Sequence, residues 1–434
     1  MKKKNLLLMT AIAISGILLS CSSSDTEEYS DETKKIVNML SEPKFIQLTD
    51  EQKIFVVDNN GFALKFLDSA NRANPSGKSY IYSPLSITYV LGMVNAAATG
   101  QTEQELEETL GFHKGGIQAV NDYCKNLIEN LPKVDEQVTL DIANAIFVNQ
   151  NKTKLKAQYQ QEMQHYYDAK AEALDFRSSK TLDHINGWCN DKTKGMIPTI
   201  LEDVDPDMIS YLLNAIYFKA DWSSKFDPKN TKKEVFTTES GTTKQPMMHQ
   251  TVLINYTHND TFAAVTLPYG NGMWNMTVLL PENGKSTGDV ISAMAGDSQF
   301  LAKHLDNAMR PHEVDLKLPR FDTTSDTNML SEGQLIGLLQ RMGIKLAFDM
   351  ERSQIPNMCE DRNLYINMMR QKAAIKVNEK GSEAAAVTIA GVSENSMGPI
   401  EYPKATFHAN RPFVYIISEA SSDVILFVGK YTGE

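Results

Sequence analysis

The stretch NEKGSEAAAVTIAGVSENSMGPIEYP occupies residues 378–403 of a chain of 434 residues. It is a run of small and polar residues set between apolar, strand-like segments, and it holds too little apolar surface to build a packed element of its own. Two details give it direction. Gly381 can reach backbone conformations closed to other residues. No proline occurs over residues 378–398, so every backbone N–H there can donate to a neighbouring strand.

Downstream, RPFVYIISE (residues 411–419) and VILFVGKY (424–431) flank the turn Ala420-Ser421-Ser422-Asp423 and read as a closing hairpin. Upstream, VTLDIANAIFVN (138–149), ISYLLNAIYFK (209–219), FAAVTLPYG (262–270), MTVLLP (276–281) and EVDLKLPRF (313–321) are rich in β-branched and other apolar residues. They predict large, mainly antiparallel sheets. The first half favours helices over residues 51–73, 86–98 and 103–110, the last with Thr102 and Glu105 at capping-box spacing. No linker, compositional break or repeat divides residues 34–434, so one large domain is expected.

The N-terminus reads as an export signal: Lys2-Lys3-Lys4, an apolar stretch over residues 6–19, then Ser20-Cys21. Leu18-Leu19-Ser20-Cys21 resembles a bacterial lipobox, in which the cysteine is acylated and becomes the mature N-terminus. Residues 22–32 are polar and acidic, as a flexible tether would be. The expected location is therefore that of an exported lipoprotein held at the outer membrane, on the cell surface or the periplasmic face. Loss of the three lysines takes the formal net charge from −11 to −14, which argues against nucleic acid as a partner.

Besides Cys21, only Cys124, Cys189 and Cys359 remain, an odd number without CxxC spacing, which is no disulfide framework. The chain has no HExxH and no GxSxG, and its eight histidines lack metal-ligand spacing. GKST at residues 284–287 lacks the glycine that a phosphate loop places five residues earlier, where Leu279 stands. No metal, cofactor or catalytic residue is expected, and an enzyme reading leaves residues 378–403 unexplained.

VNEKGSEAAAVT (377–388) closely resembles the reactive-loop hinge of serpins, a pattern of Glu, any residue, Gly, Thr or Ser, Glu, then small residues. Other segments resemble the family in its order: YIYSPLSITYVLGMVNAAATGQTEQELEETLGF (80–112), INGWCNDKTKGMI (185–197), NAIYFKADWSSKF (214–226), LPYGNGMWNMTVLLP (267–281), LPRF (318–321), MGIKLAF (342–348) and RPFVYII (411–417). The resemblance implies an α+β serpin fold of three β-sheets ringed by about nine helices. A lipoprotein signal peptide at 1–20 and an acidic tether at 21–33 would precede a serpin domain at 34–434, with an exposed reactive loop at about 379–403.

The activity implied is that of a protease inhibitor acting as a suicide substrate. A serine, or a cysteine, endopeptidase attacks the loop and forms an acyl-enzyme, and insertion of the cut loop into the central sheet distorts the protease before it can deacylate. The alternative is a non-inhibitory serpin acting as a binding or carrier protein. The hinge would comprise Glu379, Gly381, Ser382, Glu383, Ala384, Ala385, Ala386 and Thr388. In a strand, Ser382, Ala384, Ala386 and Thr388 share one face, all small and uncharged, so that face can enter a core while Glu383 stays outside.

Family spacing from Glu379 puts the scissile bond near Asn395-Ser396, with Val392, Glu394 and Met397 as alternatives. Elastase-, chymotrypsin-, subtilisin- and papain-like proteases are candidate targets. Nothing basic lies between Gly381 and Ile400, which disfavours a trypsin-like one. By resemblance, Ser83, Ser86, Asn186 and Gln371 belong to the shutter beneath the opening strands and Trp222 to the breach where the loop inserts. Gln371 stands where many serpins carry His, and its amide can replace both hydrogen-bonding roles of an imidazole. The acidic stretch 103–108 lies where some relatives bind heparin, so no glycosaminoglycan is expected. A monomer with a lipid anchor on the membrane completes the expectation.

Overall fold

A computed structural model describes residues 41–74, 77–112, 115–331, 334–360, 364–382 and 401–434. The first half is mainly helical: α1 (Asp50–Ala73), β1 (Tyr80–Tyr82), α2 (Pro84–Asn95), α3 (Gly100–Leu110), α4 (Gly116–Asn130), β2 (Thr139–Asn149), α5 (Ala157–Tyr167), β3 (Lys170–Leu174) and α6 (Lys180–Lys192). Strands then dominate: β4 (Ser210–Asp221), β5 (Lys232–Thr237), β6 (Thr242–His258), β7 (Phe262–Tyr269), β8 (Trp274–Pro281), α7 (Thr287–Gly296), β9 (Arg310–Pro319) and β10 (Phe321–Asp326). After α8 (Gln334–Met342) come β11 (Met369–Val377), β12 (Gly381–Ser382), β13 (Lys404–His408), β14 (Phe413–Glu419) and β15 (Ile425–Tyr431).

Local chemistry accounts for the helix starts. Thr49 and Gln52 close a capping box at the head of α1. Ser83 caps α2 by accepting from the Ser86 N–H, and Pro84 sits where its missing N–H is harmless. Every residue of α2 is buried, which suits a helix apolar on all sides. The expected capping box of α3 does not form. The helix begins at Gly100, and Thr102 Oγ1 instead accepts from Gln354 N at 3.0 Å while the Glu105 carboxylate accepts from Lys345 N and Leu346 N at 2.8 and 2.7 Å. Tertiary partners have claimed both side chains.

Six strands form one sheet in the order β10-β11-β4-β2-β3, with β12 added to β4. The other nine run β1-β15-β14-β8-β7-β6-β9-β13, with β5 on β6. The long β6 is shared: residues 247–256 pair β9, whereas only residues 255–258 pair β7. The nine strands thus form two lobes joined by one strand, which with the six-stranded sheet make the three sheets expected. Three strand pairs are parallel, β2 with β3, β4 with β11 and β9 with β13; the rest are antiparallel. Eight α-helices and a π-helical stretch, Leu301–Asp306, surround them among the described residues.

At β4 both faces of the six-stranded sheet are buried, and the two-residue period of the strand divides its side chains. Leu212, Ile216, Phe218 and Ala220 of β4 join the main core. Tyr211, Leu213 and Ala215 face the other way, into a second core with Ile185, Trp188 and Cys189 of α6. Phe147 of β2 meets Trp188 edge to face, with ring centroids 5.8 Å apart. Cys124, Cys189 and Cys359 are buried and not disulfide-bonded, and burial pushes the Cys124 and Cys189 thiols up to about 12.

Candidate functional site

The six-stranded sheet carries a seam. β4 has twelve residues and β11 nine, yet they pair only where Met369, Arg370, Gln371 and Lys372 meet Leu212, Leu213, Asn214 and Ala215. Above that base, Ala373–Val377 of β11 and Ile216–Ala220 of β4 share no ladder. On its other edge β4 is paired to β2 almost throughout, from Ser210 to Lys219. At the open end, Asn378 and Gly381 exchange backbone hydrogen bonds of 2.9 and 3.2 Å, turning the chain back on itself. The two residues of β12 then run antiparallel to β4, Gly381 opposite Asp221 and Ser382 opposite Ala220. A new strand has begun between β11 and β4.

Trp222, just past β4, fixes this turn. Its backbone N–H donates to Lys380 O at 2.8 Å and its indole Nε1 to Asn378 O at 2.9 Å, while the ring stacks on Tyr269, centroids 4.3 Å apart. Glu379 is 5 % exposed. Burial opposes its charge, but bonds from the Arg320 guanidinium and the Thr231 hydroxyl hold its carboxyl below the usual glutamate value. Its backbone carbonyl accepts from Phe226 N at 2.9 Å. Gly381 has φ +142°, and a Cβ there would lie 2.3 Å from Ala220 O and 2.5 Å from Asp221 Cα. Only glycine brings the two backbones this close.

At the base, the buried Gln371 amide spans the sheet and the helix beneath it. Its Oε1 accepts from Ser83 N and its Nε2 donates to Ser83 O, both at 2.9 Å, with a further 3.3 Å contact to Asn214 Oδ1. Ser83 Oγ donates to Ser86 Oγ at 3.0 Å, and Asn214 Nδ2 donates to Asn144 Oδ1 at 2.9 Å. Thus Ser83, Ser86 and Gln371 come together. Asn186 does not join them: it lies on α6, across the sheet, where its amide grips Ile200 N, Leu201 N and Leu201 O at 2.8–2.9 Å. Grouping it with the others fails because α6 covers the opposite face. Asn214, Asn144, Arg320 and Thr231 escaped the sequence reading. A lone Asn within the apolar run SYLLNAIYF was the one available signal.

Glu383, Ala384, Ala385, Ala386, Thr388, Val392, Glu394, Asn395, Ser396, Met397 and Cys21 lie outside the described residues. Among the described residues, no group of His, Cys, Asp or Glu is placed to hold a metal ion, and no helix is long and apolar enough to cross a membrane.

A family model described as Serpin (serine protease inhibitor) matches residues 57–433. The chain is 30% identical to Serpin B11 of Homo sapiens over 397 residues, 86% of this chain and 97% of that protein. It is also 30% identical to Iripin-2 of Ixodes ricinus over 382 residues, 86% and 91% of the two chains. Its fold resembles that of tengpin, a thermophilic serpin in the native state, with a TM-score of 0.78 at 25% identity over 92% of this chain and 98% of that one. Thyroxine-binding globulin in complex with thyroxine has a TM-score of 0.74 at 26% identity, covering 88% and 99%.

Proposed function

The chain belongs to the serpin family, and on that premise we propose that it is an inhibitory member, a suicide substrate for an endopeptidase rather than an enzyme. The observation that carries this reading is the seam, paired only at its base, with Gly381 and Ser382 already lodged at its open end. Continuing that register through the sequence puts Ala384 opposite Phe218, Ala386 opposite Ile216, Thr388 opposite Asn214 and Val392 opposite Ser210, where β4 begins. Directly opposed residues share a face, so Ser382, Ala384, Ala386 and Thr388 would enter the main core. All four are small and uncharged, and Glu383 would stand on the outer face opposite Lys219.

Insertion as far as Ala386 uses the part of the seam that is open. From Val387 onward it must part the four-residue ladder at the base. In the mechanism we favour, the protease nucleophile attacks the loop carbonyl, the acyl-enzyme forms, and the freed strand zips downward before water can release it. The protease is dragged along and its oxyanion hole distorted, so deacylation stalls. The bond at Asn395-Ser396 is the favoured site of attack, with Val392, Glu394 and Met397 as alternatives. Elastase-, chymotrypsin-, subtilisin- or papain-like enzymes are the favoured targets. The proposal includes export, acylation at Cys21 and anchorage in the outer membrane, with the domain acting as a monomer on the cell surface or the periplasmic face.

Incubation of the mature chain with that protease panel tests the reading. A covalent complex surviving denaturation is expected, and the mass of the released C-terminal peptide identifies the cut bond. Cleavage without any complex, and without a rise in thermal stability of the cut protein, would move the function to a binding or carrier role.

A further inference from the structure

The base of the seam is crossed by charged side chains as well as by the ladder. Arg370 of β11 is only 4 % exposed. Its guanidinium is divided between two carboxylates on opposite sides. Nε donates to Asp326 Oδ1 at 2.9 Å and Nη2 to Oδ2, within the β10–β11 half of the sheet. Nη1 and Nη2 reach Glu202 Oε2 and Oε1 at 2.5 and 3.0 Å. Lys372 adds Nζ to Thr199 O at 2.8 Å and to Glu202 Oε1 at 3.4 Å, and lies 3.5 Å from Asp326 Oδ2.

Glu202 belongs to the other half of the sheet. It lies in the connection from α6 to β4, whose Ile200 and Leu201 pack with Tyr211, Leu213 and Ala215 of β4. Asn186 of α6 clamps the backbone immediately before it through three hydrogen bonds, and Asp205 N donates to Tyr211 Oη at 2.8 Å. We infer that Glu202 and Arg370 form a latch across the seam, with Asn186 as its positioning residue, and that this latch sets how fast the sheet opens to accept a new strand. The inference rests on the insertion reading above.

Geometry gives the reason. A strand inserted between β4 and β11 separates them by a further ~4.8 Å. One planar guanidinium already shared between Asp326 and Glu202 cannot span that added distance, so it must leave one carboxylate. Asp326 moves with β11, because Asp326 and Lys372 are paired across β10 and β11. Glu202 is the partner lost. The pair therefore stabilises the closed seam and contributes nothing once the strand is in place. Its contact with solvent, with the Glu202 side chain 63% exposed, also makes it sensitive to salt.

The test is uptake of a synthetic peptide carrying residues 382–392 by the intact mature chain, compared between wild type and Glu202→Gln. The variant keeps the length of the side chain at an exposed position and leaves Arg370 paired with Asp326. It is expected to take up the peptide about tenfold faster, the change that ~1.4 kcal/mol off a barrier produces. Added salt should speed the wild type and leave the variant unchanged. The cleaved, loop-inserted variant should unfold at the wild-type midpoint, since the pair is already broken there. Equal uptake rates, or an equal loss of stability in the cleaved form, would overturn the latch while leaving insertion intact. Absence of uptake by both proteins, with no stabilisation on cleavage, would overturn the latch and the insertion reading together.

Discussion

β14 pairs β8 through six of its seven residues, whereas β11 pairs β4 through four of its nine. Both junctions join apolar strands in the interior of a sheet, so apolar composition does not separate them. The difference is what each leaves unmade. At the junction of β8 and β14 the ladder runs from Val414 to Glu419, nearly the whole length of both strands. Along the seam a length of ladder is withheld, and the residues that could complete it come directly after it in the chain. The first junction is complete, and the second keeps an open length that, on the insertion reading, a later strand would fill.

The largest expected effect comes from a charge placed on the entering strand. On the insertion reading, Ser382→Arg would put a guanidinium on the core-facing side of the entering strand, at a cost of several kcal/mol if buried unpaired. Covalent complex should vanish and the variant be cut as an ordinary substrate; complex yield on a denaturing gel is the measurement. Undiminished yield would break the comparison, because the seam would not be where the strand goes. A deletion at the complete junction of β8 and β14 sharpens it. Leu279→Ala in β8 removes a fully buried side chain and should lower stability by about 2–5 kcal/mol, equally in the intact and cleaved forms. Chemical denaturation of both forms checks that equality, which a seam residue should not show.

The smallest effect expected is a flat pH profile. The Arg370 guanidinium pulls the Glu202 carboxyl down to about 2 from an ordinary 4.5. A carboxyl lowered on folding contributes stability that is complete above the ordinary value and is lost as the pH falls through the lower one. The latch should therefore hold from neutral pH down to about 4.5 and weaken below it. Gln371, at the seam's base, does not titrate. Peptide uptake should then change less than about twofold between roughly pH 5 and 8, where an imidazole would have switched. A step in that range would assign control to a histidine outside the seam.

Much of this architecture is legible in the sequence, and unevenly so. Apolar spacing predicted α1 to within one residue, and β-branched runs separated by turn residues predicted β14 and β15 as a hairpin. Those signals are local. Gly381 was legible because a Cβ at that position would lie only 2.3 Å from Ala220 O, a closeness that glycine alone permits. What escaped depends on chain segments far apart. The side chains of Thr102 and Glu105 bond residues about 240–250 positions away, and Asn186 answers to the connection over α6 rather than to Ser83. No periodicity marks the four-residue ladder between β4 and β11, since a strand that is half paired carries the same alternation as one fully paired.

On the insertion reading, the turn that sets Ser382 opposite Ala220 would also set the frame of every later residue that joins the sheet. A strand entering a sheet without a fixed first pair can slip by one residue, and such a slip exchanges its two faces, here sending Glu383 inward and the small residues out. With the first pair made, a strand inserted there would have its alignment set before any protease arrived. Insertion would then be elongation from an existing nucleus, one residue at a time, with its speed governed by how readily the sheet ahead gives way and its accuracy settled at the start.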